Sequence, residues 1–343
     1  MHTFSQLSRK RRLYRFRALA RSALDVYGYA HARLKFLQYF ENIIYRVDVP
    51  GMAKHSSKDD PYLPGRYVLR IHALGDAGAI GSELTWLSAL SQEAGLLVPA
   101  PIMTLDGKPL AKIVTSDIPA GRVISLMRWL DGRRPRKALT PKQMAALGQV
   151  VAQMHVFAAG WQLPAGFTRP HWDWDALLGG SLFKRSMDEV VATIPAKFLH
   201  PFQVISKKAK QVMSSFGKGP EAYGMIHGDL YPENVLFKAG KALPIDFEDC
   251  GFGHWMMDIA VPLCGFAWGS EWERMRDAFH TGYSRVRVLP ESQWACIDLF
   301  VAIQFAAMVV WSSALLMNDP KRAGEYDPWR EKVGNQLLGY FNR

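Results

Sequence analysis

Cysteine is scarce in this sequence: Cys250, Cys264 and Cys296 are the only three in 343 residues, and they form no CxxC or Cys/His pattern. An odd, scattered set argues against a disulfide framework and a zinc-type cluster, and fits a reducing cytoplasm. The N-terminus lacks an unbroken apolar run, because the stretch after Leu13 is interrupted by Arg15, Arg17 and Arg21. A secretory signal is therefore not expected. Long apolar runs are missing elsewhere too, with one exception. Residues 300–317 contain Gln304, Ser312 and Ser313 and follow Asp298, so they read as a buried helix and no transmembrane span is expected. Internal repeats and low-complexity tracts are also absent.

What is present is length and apolar content: 343 residues, 49% hydrophobic, too many for one ordinary core, so two lobes are expected. The net charge of +11 is uneven. Residues 1–40 hold nine Lys or Arg against Asp25 alone, which is +8 of the total. Such a segment can contact nucleic acid or an anionic membrane. No RNA- or DNA-binding motif accompanies it, so a solvated helix lying on the first lobe is the preferred reading and a nucleic-acid partner is not expected. No feature of the sequence bears on oligomeric state.

Three units are expected: a basic N-terminal helical segment over 1–30, a first lobe over 31–131 and a second lobe over 132–343. Residues 34–49 and 66–73 are rich in β-branched and aromatic residues and read as strands, separated by an exposed loop over 55–65. Ile80, Leu84, Leu87 and Leu90 recur at helical spacing before Gly95. Strand-like pieces follow at 110–115 and 121–130. From Thr140, a cap with Pro141 behind it, the pattern turns helical, and residues 254–343 remain mostly so. Residues 161–200 show little periodicity.

The chemistry is concentrated in residues 224–260, GMIHGDLYPENVLFKAGKALPIDFEDCGFGHWMMDIA. Two strands, 235–237 and 242–245, flank Gly240; a hairpin centred there sets Asn234 opposite Asp246, with Cβ atoms about 5 Å apart. An amide carbonyl and a carboxylate are hard oxygen donors, and two of them with positions left for water and phosphate suit nucleotide-bound Mg²⁺. Asp229 then remains to face a hydroxyl as a catalytic base.

This stretch resembles the aminoglycoside phosphotransferase and choline kinase superfamily, whose pattern is His-Gly-Asp, four residues, Asn, then Ile-Asp-Phe, then Asp-Leu-Ala. The chain reads HGDLYPEN, IDFED and DIA, and the resemblance runs over roughly residues 30–315. Protein kinases share the Asp-to-Asn spacing but carry D-F-G; here Asp246-Phe247-Glu248 points to the small-molecule branch. The resemblance implies an α+β, protein-kinase-like two-lobed fold. Its small N-terminal lobe is antiparallel β with one helix, and its larger C-terminal lobe is mainly helical. It implies ATP and Mg²⁺, with Asn234 and Asp246 on the metal.

It also implies Arg70 as the phosphate-pairing strand residue, Glu83 as its ionic partner, and a hinge at SLMRWLDG offering adenine the backbone of residues 127–129, from Met127 to Trp129. An Arg holds phosphates bidentately but is not equivalent to Lys. His227 looks like a brace of the catalytic loop, and Asp258 either a second brace or an N-terminal helix cap. Glu248 and Asp249 read as extensions of the site or as solvated turn residues. The first strand-turn-strand, FLQYFENIIYRV, lacks the usual glycines, so phosphates must be covered by another arrangement, for which Asn42 is a candidate.

The expected partner is a small-molecule hydroxyl acceptor: an amino alcohol, a choline-like amine, a sugar or an aminoglycoside-type antibiotic. Residues 259–343 hold nine acidic and nine basic residues, no bias toward a polycation. Trp268, Trp272, Trp294 and Trp311 can cage a quaternary ammonium or simply form core. An atypical Ser/Thr protein kinase is disfavoured by the missing A-P-E segment. A catalytically silent nucleotide-binding module is disfavoured by the joint presence of Asp229, Asn234 and Asp246.

Overall fold

Buried and half-exposed residues alternate over residues 43–48, with Ile43, Tyr45 and Val47 pointing inward. This period of two makes a strand with one buried face. The computed structural model describes residues 7–40, 42–52, 62–72, 76–116 and 118–342. A helix, α1 (Arg9–Val26), precedes β1 (Arg33–Tyr39), β2 (Ile43–Asp48) and β3 (Tyr62–Ile71); α2 (Ala77–Gln92), β4 (Ala111–Thr115) and β5 (Ile118–Leu130) follow. The strands form one antiparallel sheet in the order β1-β2-β3-β5-β4. Of the loop expected over 55–65, residues 55–61 lie outside the described residues and 62–65 already belong to β3.

The basic α1 lies on this sheet. Phe16, Leu19, Ala20, Ala23 and Leu24 form its buried stripe and share a core with Ile43, Tyr45, Leu69 and Ile124. Each buried Leu or Phe contributes roughly 1.5–3 kcal/mol. Three of its arginines reach β1 or the chain leading into it: Arg12 Nη1 donates to Tyr39 Oη at 3.5 Å, Arg17 Nη1 to the Leu34 carbonyl at 3.4 Å, and Arg21 to the Ala32 carbonyl. Part of the N-terminal charge thus joins a helix to a sheet edge.

Helix α2 ties the lobes together. Its Leu84, Trp86, Leu87 and Leu90 belong to the core of the second lobe, where Trp86 stacks on Phe157 with ring centres 5.6 Å apart. That lobe opens with α3 (Pro141–Gly160), started by a reciprocal Thr140–Gln143 capping box with Pro141 inside it. Residues 161–200 hold β6 (His171–Trp172), α4 (Trp174–Leu177), α5 (Met187–Thr193) and the start of α6 (Ala196–Phe216), most of them too short to show a period. Next come β7 (Tyr223–Ile226), the hairpin of β8 (Val235–Lys238) and β9 (Lys241–Pro244), and β10 (Gly251–His254). Helices α7 (Trp255–Leu263), α8 (Trp272–Ser284), α9 (Glu291–Trp294), α10 (Ile297–Asn318) and α11 (Ala323–Gly339) complete the chain.

Helices α3 and α8 approach so closely that a Cβ on Gly282 would stand 1.9 Å from the Ala145 carbonyl oxygen. Among the described residues α10 alone is long and apolar enough to cross a membrane. Its Phe300, Val301, Ile303, Phe305 and Val309 are buried in the core of the helical lobe.

Candidate active site

Strand β7 ends at Ile226, and the chain leaves the sheet through a turn that only glycine fits. Gly228 has φ +82°, and a Cβ there would stand 2.6 Å from the Asp249 carbonyl oxygen. Asp258, fully buried on α7, accepts from the backbone N–H of His227 and of Gly228, both at 2.8 Å, and from His155 Nε2 at 3.3 Å. Burial opposes its ionisation, but these bonds outweigh it and hold the carboxyl below the usual carboxylate range. Asp258 is not a helix cap: α7 starts earlier, at Trp255 behind His254, and Asp258 sits inside its first turn. His227, kept neutral by burial, joins the same loop. Its Nε2 meets the Ile245 carbonyl at 3.1 Å while its Nδ1 accepts from Asp229 N at 3.3 Å.

Asn234 Nδ2 donates to Asp229 Oδ2 at 2.6 Å and to the Asp229 carbonyl at 2.9 Å, which leaves Oδ1 as its acceptor for a cation. The hairpin behind it differs from the expected register by one residue. Its turn is two residues, Ala239 and Gly240, at φ 49° and 81°, so its centre falls between them and Val235 pairs with Pro244. Asn234 therefore lies beside Ile245, whose N–H donates to the Asn234 carbonyl at 2.9 Å. A one-residue slip would turn Asp246 to the other face of a regular strand. Asp246 instead takes φ +66°, a left-handed conformation rare for a non-glycine, and its Oδ1 comes 3.3 Å from Arg70 Nη2.

Arg70, on β3, also donates through Nη1 to Glu83 Oε1 on α2 at 2.9 Å, with only 7% and 2% of the two side chains exposed. Burial works against the charge on Arg70, but Glu83 and Asp246 outweigh it and hold the guanidinium more firmly protonated than usual. Burial likewise pushes the Glu83 carboxyl up against the pull of Arg70 and Arg169. Asn42, at the start of β2, donates to Glu248 Oε2 at 2.6 Å, so the first lobe reaches the loop after the metal-type carboxylate through its side chain.

Two residues of that loop's support carried no sequence signal. Arg169 donates to the carbonyls of Ala79 at 3.1 Å and Cys250 at 2.5 Å, and also to that of Glu248; Trp172 Nε1 donates to the Asp249 carbonyl at 2.7 Å. Both lie in the stretch without periodicity, where an inward Arg looks like any surface charge.

Burial pushes Asp229 up to about 8, helped by the carboxylates of Asp249 and Asp246 and opposed by the Asn234 hydrogen bond. This crowding of negative charge suits a divalent cation. Among the described residues no group of three or more His, Cys, Asp and Glu side chains can hold a metal alone, so a cation at Asn234 and Asp246 must bring other oxygen ligands. The oxygens of a nucleotide phosphate are ligands of that kind.

Asn42, Arg70, Asp229, Asp246, Glu248 and Asp249 open onto one cleft of about 960 Å³ between the lobes, near the upper end of the ~300–1,000 Å³ usual for small-ligand sites. Met127 and Trp129 line it, but they are not in a free linker: β5 runs to Leu130, Met127 pairs with Val68, and Arg128 N donates to the Ala100 carbonyl at 2.8 Å. Of the four tryptophans weighed as an ammonium cage, only Trp311 lines the cleft. Trp268 and Trp272 pack on each other with ring centres 5.2 Å apart, and Trp294 stacks on His280 at 4.2 Å. Trp172 and Trp329, which the sequence did not single out, line the cleft instead.

Residues 59–296 match the model of the phosphotransferase enzyme family. The amicoumacin kinase of Bacillus subtilis is 24% identical over 254 residues, 71% of this chain and 66% of that one, so the chain spans just under two thirds of that relative. A homoserine kinase of Neisseria meningitidis serogroup B is 26% identical over 287 residues, covering 81% of this chain and 86% of its own. A solved microcompartment-associated aminopropanol kinase superposes with a TM-score of 0.73 at 23% identity, covering 94% of each chain. The family match spans well over half of the chain and includes Asp229, Asn234 and Asp246 in their expected order: the chain belongs to the phosphotransferase enzyme family.

Proposed function

We propose that this protein transfers the γ-phosphate of Mg-ATP to a hydroxyl of a small molecule. One observation carries the reading: Arg70, Asp229 and Asp246 line a single cleft, with Asp229 held by Asn234 at 2.6 Å and Asp246 3.3 Å from Arg70. Asp229 is the catalytic base, accepting the proton of the acceptor hydroxyl and fixing its direction; a carboxyl whose proton affinity is raised by burial suits that task. Asn234 Oδ1 and Asp246 would hold Mg²⁺, which supplies neutralisation of the charge on the β- and γ-phosphates. Arg70, fixed by Glu83, presents its guanidinium to phosphate oxygens. Met127 and Trp129 flank the base of the nucleotide, while His227 and Asp258 hold the loop that carries Asp229.

Relatives named for amicoumacin, homoserine and aminopropanol support a small acceptor over a protein one. The three scattered thiols fit action in a reducing cytoplasm.

Calorimetric titration of ATP tests this reading. Binding is expected to require Mg²⁺ and to weaken about tenfold or more in Asp246→Asn, the scale of losing a contact to a charged group. ATP binding that ignores both Mg²⁺ and the substitution contradicts it.

A further inference from the structure

Part of the cleft is walled by aromatic and aliphatic side chains from separate stretches of chain: Trp172 in β6, Phe183 before α5, Met308 and Trp311 on α10, and Trp329 on α11. Trp311 and Trp329 meet edge to face with ring centres 5.6 Å apart. Among the described residues the carboxylates lining the cleft are Asp229, Asp246, Glu248 and Asp249, all on the loops of the phosphate site. None of them lies in the aromatic part.

One polar pair interrupts this wall. Gln304, a polar residue on the largely apolar α10, donates through Nε2 to Tyr231 Oη at 3.1 Å, and Tyr231 Oη in turn lies 3.6 Å from Met308 Sδ. Tyr231 is two residues from Asp229, and both it and Gln304 line the cleft. With Nε2 committed to Tyr231, the amide offers its Oε1 to a donor on a ligand. Among the described residues, a polycation would find carboxylates at the phosphate end, where a bound cation competes for them. An apolar body would instead be enclosed by rings, the usual make-up of a small-ligand pocket with a few placed polar groups.

We infer, resting on the phosphotransfer reading above, that the acceptor is an alcohol with a bulky apolar or aromatic body and at most one ammonium group. Its hydroxyl lies at Asp229, a neighbouring donor meets Gln304, and the body packs between Trp311, Trp329 and Trp172.

Binding of three probes to the ADP- and Mg²⁺-loaded protein tests this: alaninol, phenylalaninol (the same amino alcohol with an added ring) and kanamycin, a polycation. Phenylalaninol is expected to bind about tenfold or more tightly than alaninol, the scale on which an apolar pocket discriminates, and kanamycin more weakly than phenylalaninol. Trp311→Ala should abolish the advantage of the ring, and Trp311→Phe should keep most of it, which separates a lost contact from a damaged fold. Gln304→Leu should weaken both amino alcohols about equally, by up to about tenfold. No advantage of the ring, tighter binding of kanamycin, or no binding of any probe overturns the inference while leaving phosphotransfer standing if Mg-ATP binds the same sample. Failure of the wild type to bind Mg-ATP overturns the phosphotransfer reading and this inference with it.

Discussion

At the end of the cleft lined by Asp229 and Asp246, with Asn234 bonded to Asp229, polar groups answer polar groups within one short stretch of chain, and the first lobe adds Arg70, Glu83 and Asn42. At the other end, Phe183, Trp311 and Trp329 come from three separate places, and Trp311 and Trp329 meet edge to face. The difference follows from what each end must handle. A phosphoryl group in transfer carries a fixed pattern of charge, which calls for particular donors at particular distances. An acceptor body is held by volume and apolar area, which many side chains supply equally well.

If that contrast is right, changes at the phosphate end should act on rate and stability in large steps. Asp229→Asn should lower kcat by about a thousandfold or more while Mg-ATP affinity stays nearly unchanged, as steady-state kinetics and calorimetry would show. Arg70→Met should cost about 3–5 kcal/mol of stability in chemical denaturation, because it leaves Glu83, only 2% exposed, without its cation. Adding Glu83→Gln should restore much of that loss. A mild effect of Arg70→Met alone would mean that the phosphate end tolerates substitution as the acceptor end does.

Acid sharpens the same contrast. Asp258 is held below the usual carboxylate range in the folded protein, so its contribution is complete above its unfolded value of about 4 and is lost as pH falls through the lower folded one. Tertiary signal should therefore fade as pH falls below about 4, with a shallower acid limb in Asp258→Asn. The smallest effect belongs to the aromatic end. Trp329→Ala should raise KM for the acceptor about fivefold, the scale of partial loss of apolar contact, with kcat and KM for ATP nearly constant.

The legibility of the sequence divides along the same line. HGDLYPEN and IDFED place Asp229, Asn234 and Asp246 in one segment, where spacing is a fair guide to proximity. Even there a two-residue turn moved the hairpin by one position, and Asp246, whose carboxylate meets Arg70, takes a left-handed backbone with no residue pattern of its own. The lobes were legible because β2 alternates and α3 carries its capping box. Arg169 and Trp172 were not, since both sit among elements of two to four residues that carry no period. The choice between cage and core for the tryptophans stayed open for a related reason: Trp268 and Trp311 are alike in sequence, and only tertiary packing sends one to Trp272 and the other to the cleft.

The central claim is that Asp229 performs phosphoryl transfer in this cleft. ADP release from Mg-ATP, measured for the wild type and for Asp229→Asn against pooled amino alcohols, choline-like amines, sugars, nucleosides and aminoglycosides, tests it most directly. The account predicts at least one pool that stimulates the wild type and leaves Asp229→Asn at background although both bind Mg-ATP equally. Equal stimulation of the two proteins would contradict it.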